Sequence, residues 1–354
     1  MNTVLSVSTS RADMGILSSV WHAIADQTDL NLKVFLTGQH MVDESLVLGY
    51  LPQMIDVHHG GTNLGGLGAS EAASAISEIA LATGEIIDKT LPDCVFVVGD
   101  RLDMLPVVAT TVGYNLPIIH LHGGECSEGA IDDRIRDAIS KLSHIHCAAT
   151  KGAATKLNLM GEEAWRINVT GAPGLDSLLK APELNIDDLA EELGLNPTQD
   201  FILVTVHPET NSAEPLKPLD TILTALDIQK CSAVITAPNM DPGGAEILRR
   251  IKSFVSERPQ IIFRDTLGTR LYANAMRFAK TMIGNSSSGI VEAGLFGLPV
   301  IDVGSRQQGR EHDSNVHHCK ADTSSVISIL DKLMLTVDER PRVARSSIYG
   351  DGQE

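Results

Sequence analysis

The fold is decided by the stretch Leu116-Pro-Ile-Ile-His120-Leu-His122-Gly-Gly-Glu125-Cys-Ser-Glu128-Gly-Ala-Ile-Asp132-Asp133-Arg134-Ile-Arg136. It begins with a short apolar run, breaks at two glycines, and resumes as a helix with an acidic first turn. In an open α/β sheet, ligands bind outside the carboxyl ends of the strands. The junction therefore predicts a site to which two imidazoles and the carboxylate of Glu125 are delivered together.

Within this stretch, Asp132 and Arg136 are four residues apart, so a helix places them on one face. The guanidinium could hold the acid ionised as a base or orient it toward a substrate. The pair could also be an ordinary surface ion pair, worth about 0.3–0.5 kcal/mol. The glycine junction just before the helix favours a functional pair.

A second strand end carries an acid in the same way. Cys94–Val98 is an apolar run that ends in Gly99-Asp100-Arg101, and a helical segment around residues 102–113 leads back to the first stretch. This is the pattern of a right-handed βαβ unit, in which both strands end at one edge of the sheet. We therefore expect Asp100 and Glu125 to face one pocket.

The alternation of strand and helix patterns extends along the whole chain and predicts an α/β fold with two Rossmann-like domains that face each other across a cleft. Polar, Pro and Gly residues cluster after Thr170, so we place a linker at about residues 170–198. The expected domains are residues 1–172 and 173–354. The first strand turns into a helix at Arg11, where free amides and that arginine would suit an anion.

The second half contains three candidate loops. Pro208 disfavours helix at His207 and ends a strand there, while Gly284-Asn-Ser286-Ser287-Ser288-Gly289 lies between a strand and a helix and offers hydroxyls for a phosphate. Arg306 and Arg310 follow the next strand and are suited to a diphosphate. A serine-hydrolase elbow is disfavoured, because the run from Gly284 to Gly289 is one residue too long for Gly-x-Ser-x-Gly.

Two further stretches contain residues typical of cofactor sites without the required spacing. His58–Gly68 is rich in glycine but fits neither Gly-x-Gly-x-x-Gly nor a P-loop, so we interpret it as a mobile lid. His312, His317, His318 and Cys319 match no zinc pattern, and we interpret them as a solvated segment. No metal site is predicted.

Composition limits the class of protein. The 354 residues are 43% hydrophobic and 21% charged and carry a formal net charge of −17, which disfavours binding to nucleic acid or to anionic lipid. The five cysteines form no Cys-x-x-Cys pair, which indicates a reducing compartment. No apolar run is long enough to span a membrane and no signal segment is present, so we expect a cytoplasmic protein.

Six motifs occur in order over both halves of the chain. They are Gly99-Asp100-Arg101, His122-Gly-Gly-Glu125, Glu128-Gly-Ala-Ile-Asp132 with Arg136, His207-Pro-Glu-Thr210, Gly284-Asn-Ser-Ser-Ser-Gly289 with Glu292, and Gly304-Ser-Arg306-Gln-Gln-Gly-Arg310. Together they resemble the motifs of the hydrolysing UDP-N-acetylglucosamine 2-epimerases, and the resemblance runs from Ser8 to near Gly352.

This resemblance implies a fold of the glycosyltransferase-B type, no redox cofactor or metal, and a homodimer or homotetramer. It implies conversion of UDP-N-acetylglucosamine to N-acetylmannosamine and UDP, which feeds sialic-acid synthesis. The family's mechanism is anti elimination of UDP to give a 2-acetamidoglucal, followed by hydration with inversion at carbon 2. By the same resemblance, Asp100, Glu125 and Asp132 are the acid/base carboxylates, and Arg136 and His207 position the substrate. The implied UDP-binding set is Arg11, Ser286, Ser287, Gly289, Glu292, Arg306 and Gln307.

The sequence departs from the family in two places. Arg136 is followed by Asp137 where relatives have histidine, and relatives have a final helix after the position of Glu354. Three alternatives stay open. They are a GDP-linked 2,4-diacetamido-sugar 2-epimerase of legionaminic-acid synthesis, a non-hydrolysing epimerase, and a non-catalytic nucleotide-sugar binding module.

Overall fold

The computed structural model describes residues 1–42, 49–64, 67, 69–126, 132–210, 212–239, 243–336 and 338–353, with the backbone alone at Arg11 and Ala69. The chain divides into two compact units, and the division falls between Ser177 and Leu178. Each unit is built on a parallel sheet with helices, which confirms the expected α/β class. The unit boundary lies a short way beyond the expected one at residue 172.

In its described part, the first unit contains a seven-stranded parallel sheet in the order β3-β2-β1-β4-β5-β6-β7. The strands are β1 Asn2–Ser8, β2 Leu30–Leu36, β3 Asp56–His59, β4 Cys94–Val98, β5 Ile118–Leu121, β6 Ile145–Ala148 and β7 Ile167–Val169. The helices are α1 Arg11–Ala25, α2 Ala69–Thr90, α3 Met104–Gly113, α4 Asp132–Leu142, α5 Lys151–Leu159 and α6 Gly174–Leu179.

Both faces of this sheet are covered, which explains why its central strand β4 is apolar throughout. Val95 and Val97 of β4 pack into one buried cluster, and Phe96 and Val98 pack into another, as expected for side chains that alternate across a strand. Val98 pairs with Leu121 of β5. The turns that follow β4 and β5 therefore start side by side.

The second unit contains, in its described part, a six-stranded parallel sheet in the order β10-β9-β8-β11-β12-β13. The strands are β8 Phe201–Thr205, β9 Ser232–Thr236, β10 Ile261–Arg264, β11 Thr281–Gly284, β12 Val300–Val303 and β13 Val316–Cys319. The helices are α7 Ile186–Leu193, α8 Lys217–Gln229, α9 Gly244–Val255, α10 Gly268–Phe278, α11 Ser287–Val291, α12 Ala293–Phe296 and α13 Thr323–Leu335.

The register of this second sheet brings three loops together. Gly284 pairs with Thr205 of β8 on one side and with Asp302 of β12 on the other. The loops after β8, β11 and β12 therefore leave the sheet next to one another. They contain His207, Ser286 and Arg306, which the sequence singled out.

Two expected loops contain strands. His58 and His59 belong to β3, where His58 pairs with Phe35 and is buried, so the proposed lid cannot begin there. The glycines Gly65, Gly66 and Gly68 of that lid lie outside the described residues. The expected solvated segment at His317 is strand β13, whose position at the edge of the sheet leaves His317 and His318 exposed.

The division between the two units falls within the expected linker at residues 170–198, and this segment contains α6 and α7. Helix α7 starts at an N-cap, Asn185, whose side chain accepts a hydrogen bond from the amide of Asp188, and it buries Leu189 and Leu193. No helix in the described ranges is both long enough and apolar enough to cross a membrane.

Candidate active site

The two imidazoles delivered by β5 have different environments. His120 is fully buried, donates from Nε2 to the Gly99 carbonyl at 2.8 Å, and has Ser140 Oγ at 3.2 Å from Nδ1. Burial lowers the pKa of His120 to about 4, so the ring is neutral at physiological pH. Both ring nitrogens are satisfied within the protein. His120 therefore holds the turns after β4 and β5 together and is a structural residue.

His122 lies in the turn itself with a left-handed backbone, at φ 64°, which costs a non-glycine residue about 1–2 kcal/mol. Its Nδ1 is 2.5 Å from Glu125 Oε1, and both side chains are buried. Gly124 makes the turn possible. Its φ is 80°, and a Cβ there would lie 2.3 Å from the Ala153 carbonyl oxygen. The glycines are thus required by close packing rather than by flexibility.

Arg136 joins the three segments of this site. It is 2% exposed, and its Nη1 donates to the Glu125 carbonyl at 2.8 Å and to Asp133 Oδ1 at 2.8 Å. Its Nη2 forms an ion pair with the carboxylate of Asp100. The structure therefore brings Asp100, Glu125 and Arg136 together, as the sequence predicted.

The acids at the start of α4 were only partly anticipated. Asp132 was expected beside Arg136, and Asp133 also forms an i,i+3 ion pair with Arg136 at this helix start. Asp132 is the first residue of α4 and is partly exposed. A carboxylate at a helix N-terminus interacts favourably with the helix dipole.

Asp137 follows Arg136 in α4 and has a cation beside it. Its Oδ1 lies 3.0 Å from Lys156 Nζ, and the same Nζ donates to the Glu125 carbonyl at 3.2 Å. The Asp137 carboxylate is therefore charge-compensated. The carbonyl of Glu125 accepts hydrogen bonds from two cationic side chains, Arg136 and Lys156, which fixes the backbone beside its carboxylate.

At the turn into α1, where an anion site was expected, an acid accepts hydrogen bonds from the backbone. Asp13 accepts hydrogen bonds from the amides of Thr9 at 2.8 Å and Ser10 at 2.9 Å, so these two donors are not free. These two amides precede the first residue of α1, and the anion site expected at the start of the helix stays a prediction. Arg11 begins α1, and its side chain lies outside the description.

In the second unit, His207 is held by Asn285 and Asn239. The Asn239 amide donates to His207 Nδ1 at 3.1 Å, so Nε2 carries the proton and lies 3.3 Å from Ser286 Oγ. Burial, together with the nearby charge of Arg306, lowers the pKa of His207 to about 3. The imidazole is therefore neutral and suited to donate a hydrogen bond from Nε2.

The loop after β11 contains the predicted serines. Ser286 is the N-cap of α11, with its Oγ 3.4 Å from the Ser288 amide, and Ser287 is exposed in the first turn. Gly289 is buried and packs closely against Val300, since a Cβ added to the glycine would lie 3.0 Å from that side chain. Helix α11 has only five residues, so the hydroxyls rather than a long helix dipole are the main polar groups at this loop.

Glu292 follows α11 in a poorly solvated position. Burial raises the pKa of its carboxyl to about 7, so near neutral pH the group is partly protonated. The Tyr272 hydroxyl contacts the Ser288 hydroxyl, and burial and the Glu292 charge raise the pKa of Tyr272. The side chains of Tyr272, Ser288 and Glu292 can therefore both donate and accept hydrogen bonds.

The loop after β12 is fixed by a residue that the sequence argument did not single out. Glu209 Oε1 accepts hydrogen bonds from the amides of Ser305 at 2.5 Å and Arg306 at 3.1 Å. Gly304 is required here, because its φ is 102° and a Cβ would lie 2.3 Å from that carboxylate oxygen. Glu209 thereby sets the position at which Arg306 leaves the sheet.

Asn285 is the second residue that was missed. Arg306 Nη1 donates to its carbonyl at 3.3 Å and Gln307 Nε2 donates to it at 2.9 Å. Glu209 and Asn285 both lie inside the quoted motifs, next to residues that were predicted. Asn285 directly follows the buried strand β11, the same signal that identified Asp100, whereas Glu209 lies beyond the end of β8 and has no such signal. Among the described residues, no group of three or more His, Cys, Asp or Glu side chains is arranged to hold a metal ion.

Known proteins with related sequences identify the family. A profile described as UDP-N-acetylglucosamine 2-epimerase matches residues 22–354. The chain belongs to the UDP-N-acetylglucosamine 2-epimerase family. This confirms the family inferred from the six motifs, since the match includes both groups of loops described above.

Two curated relatives of this epimerase family act on a different sugar. The chain is 30% identical to the UDP-N,N'-diacetylbacillosamine 2-epimerase (hydrolyzing) of Legionella pneumophila, over 99% of this chain and 92% of that protein. It is 33% identical to the GDP/UDP-N,N'-diacetylbacillosamine 2-epimerase (hydrolyzing) of Campylobacter jejuni, over 88% and 82%.

A solved structure confirms the fold. The UDP-GlcNAc 2-epimerase of Neisseria meningitidis bound to UDP-GlcNAc superposes with a TM-score of 0.78 at 19% identity, over 99% of this chain and 96% of that chain. The two parallel-sheet domains are thus those of the epimerase family, in agreement with the fold class expected from the sequence.

Proposed function

We propose that this chain is a hydrolysing 2-epimerase of a UDP-linked 2-acetamido sugar, and that it converts UDP-N-acetylglucosamine to N-acetylmannosamine and UDP. The observation that carries the proposal is the buried Arg136, which joins Asp100, Glu125 and the start of α4 in one polar cluster. The carboxylates of Asp100 and Asp133 pair with this cation, and the backbone carbonyl of Glu125 is bonded to it, an arrangement suited to proton transfer next to a leaving group. Family membership supports the same reaction.

The first step is elimination. A base removes the proton from carbon 2 of the sugar, the electrons of that bond form the double bond to carbon 1, and UDP leaves with the electrons of the carbon 1–oxygen bond. Asp100, Glu125 and Asp132 are the carboxylates assigned to acid/base work. Because a proton on carbon 2 is weakly acidic, stabilisation of the departing diphosphate must supply much of the rate enhancement.

We assign the nucleotide to the second unit. Arg306 supplies a cation, Ser286 and Ser287 supply hydroxyls, and neutral His207 supplies an N–H donor, in a protein whose net charge of −17 otherwise disfavours anions. Glu292 and Gln307 complete the proposed set of polar side chains for the nucleotide. Arg11 belongs to the same proposed set by resemblance, although its side chain lies outside the description.

The second step is hydration of the 2-acetamidoglucal. Water adds its oxygen to carbon 1, and an acid protonates carbon 2 from the face opposite to the one that lost its proton. The product is a free sugar that is inverted at carbon 2. Asp132 is suited to such a role because it is partly exposed at the start of α4, where water has access.

A second candidate substrate is UDP-N,N'-diacetylbacillosamine. It is favoured by the 30% identity to the Legionella pneumophila enzyme along 99% of this chain. The two sugars share the 2-acetamido group and carbon 1 leaving group, so the same acids and the same diphosphate contacts serve both. The GDP-linked form, named for the Campylobacter jejuni relative at 33% identity, requires a larger base pocket.

One experiment distinguishes these candidate substrates and reactions. Purified protein is incubated separately with UDP-N-acetylglucosamine, UDP-N,N'-diacetylbacillosamine and its GDP-linked form, and the released nucleotide and sugar are identified by NMR. Free UDP with free N-acetylmannosamine supports the main proposal. A still-linked, inverted sugar nucleotide indicates a non-hydrolysing epimerase, and binding without any product indicates a non-catalytic module.

Two broader expectations accompany this function. The five cysteines are all free thiols, which supports a reducing, cytoplasmic setting where nucleotide sugars are made. The resemblance to the family supports a homodimer or homotetramer, which light scattering during gel filtration measures directly.

A further inference from the structure

The turn after β5 holds a histidine in an unfavourable position for two reasons. His122 adopts a left-handed backbone, and its Nε2 is buried with no hydrogen-bond partner among the described residues. Strained backbone and unsatisfied buried polar atoms are rare in folded proteins and concentrate at functional sites. The combination in one residue is therefore a signal of function.

His120 provides the comparison within the same strand and turn. Both of its ring nitrogens are hydrogen-bonded, to Gly99 and to Ser140. The fold thus satisfies one buried imidazole completely, while one nitrogen of the other has no partner within the described part of the chain. Since the two residues are separated only by Leu121, the difference does not come from their sequence neighbourhood.

The other ring nitrogen of His122 is firmly held. Nδ1 lies 2.5 Å from Glu125 Oε1. The backbone of Glu125 is itself fixed, because its carbonyl accepts from Arg136 Nη1 at 2.8 Å and from Lys156 Nζ at 3.2 Å. With Glu125 as the acceptor, Nδ1 is the donor, so Nε2 is the ring nitrogen that can accept a proton.

We propose that His122 is the catalytic base that removes the proton from carbon 2, and that Glu125 orients it. This inference rests on the proposed function and changes the part assigned to Glu125, whose carboxylate holds the imidazole instead of reacting with the sugar. The His122 side chain is 10% exposed, so the ring lies just below the surface of its unit. A carboxylate on Nδ1 also stabilises the imidazolium that forms.

The proton and electrons balance as follows. Nε2 uses its lone pair to take the proton from carbon 2, and the electrons of the broken carbon–hydrogen bond form the double bond between carbons 1 and 2. The bond from carbon 1 to the diphosphate oxygen breaks, and the diphosphate departs with its electron pair. The imidazolium returns its proton to water before the next turnover.

The first test does not depend on activity. Nitrogen-15 NMR of the histidine rings in the parent protein, assigned through loss of the His122 signal in His122→Asn, reports which nitrogen is protonated. We expect His122 to carry its proton on Nδ1, with Nε2 unprotonated, and Glu125→Gln to alter that signal. A proton on Nε2 in the neutral ring would overturn the proposal, because no lone pair would face the substrate.

The second test uses His122→Asn as a matched variant. Asparagine tolerates the left-handed backbone and can still donate a hydrogen bond to Glu125, but it cannot accept a proton at neutral pH. We expect turnover to fall by about 10²–10⁴-fold, with UDP affinity within about threefold of the parent. The control His317→Asn, on the exposed edge strand β13, should turn over normally.

The results of these tests distinguish a failure of the His122 proposal from a failure of the proposed function. Turnover of His122→Asn within about threefold of the parent would show that His122 is not the base, even though the parent is an epimerase. If the parent releases no nucleotide from any of the sugar nucleotides, the proposed function fails. The NMR result then still decides whether the His122–Glu125 pair has the proton arrangement of a base.

Discussion

The side-chain amide of Asn285 joins its own loop to that of His207 by two hydrogen bonds. Asn285 Oδ1 accepts from the His207 amide at 2.7 Å, and Asn285 Nδ2 donates to the His207 carbonyl at 2.9 Å. The Asn285 side chain is completely buried. One residue thus fixes the distance between the loop that carries the imidazole and the loop that carries the serines.

This relationship predicts a loss of both stability and nucleotide binding in Asn285→Ala. The substitution leaves the amide and carbonyl of His207 without their partners, and each unsatisfied buried polar group costs about 1–3 kcal/mol. We expect the free energy of unfolding, measured with urea, to fall by at least the cost of one such group, about 1–3 kcal/mol. The control Asn31→Ala, whose only described side-chain hydrogen bond is a weak one to Thr3 at 3.4 Å, should be close to the parent.

Arg306 is expected to contribute directly to nucleotide affinity. Its backbone is held by Glu209, and its guanidinium is the cation of the loop after β12. Arg306→Ala should weaken UDP binding by roughly 1.5–3 kcal/mol, the range for a charge-assisted hydrogen bond. Titration calorimetry with UDP measures this, with Arg134→Ala, on an exposed face of α4, as the control. A larger loss in the Arg134 variant would place the nucleotide elsewhere.

Asp132 is expected to affect the reaction rate and not the affinity. Asp132→Asn preserves the shape of the side chain but removes its ability to exchange a proton near neutral pH. Turnover should fall by about 10²–10⁴-fold, while UDP affinity stays within about tenfold of the parent. Steady-state kinetics and calorimetry on the same preparation check both values. An Asp132→Asn enzyme with normal turnover would remove this residue from the proton-transfer set.

Glu292 should make the stability of the protein depend on pH. Its pKa is about 7 in the folded protein and near 4.5 when unfolded, so between these values the folded state keeps a proton that the unfolded state has lost. Stability that is present below pH 4.5 is therefore lost as the pH rises toward 7. The Glu292→Gln variant mimics the protonated form and should keep this stability as the pH rises. Urea unfolding of both proteins from pH 5 to pH 8 measures the difference, which should grow with pH and then level off.

Much of the fold could be predicted because its signals are local. Buried strands such as β4 are unbroken apolar runs that end at a glycine and a charged residue, and the polar residue at that point marks the site edge. For this reason Asp100 and Glu125 were expected at neighbouring strand ends, and Arg136 contacts both of them. The edge strands β3 and β13 were missed, because their histidines and acids lack the apolar run that a central strand shows.

The parts of the site that were missed depend on contacts distant in sequence. Glu209 reaches Arg306 only because β8, β11 and β12 lie in one register, and no local pattern encodes that. Asp133 and Asp132 are equally good helical partners for Arg136 by spacing, at three and four residues, so spacing alone does not choose between them. The strain at His122 is likewise a property of the folded turn and is invisible in a list of residue types.

The most direct test of the account follows the reaction in heavy water. The parent protein is incubated with UDP-N-acetylglucosamine and with UDP-N,N'-diacetylbacillosamine in D2O, and the products are analysed by NMR and mass spectrometry. We predict that one of them gives free UDP and a free sugar that is inverted at carbon 2 and carries one deuterium there. Release of UDP with retained configuration and no deuterium at carbon 2, or no release from either compound, would contradict an elimination and hydration at this site.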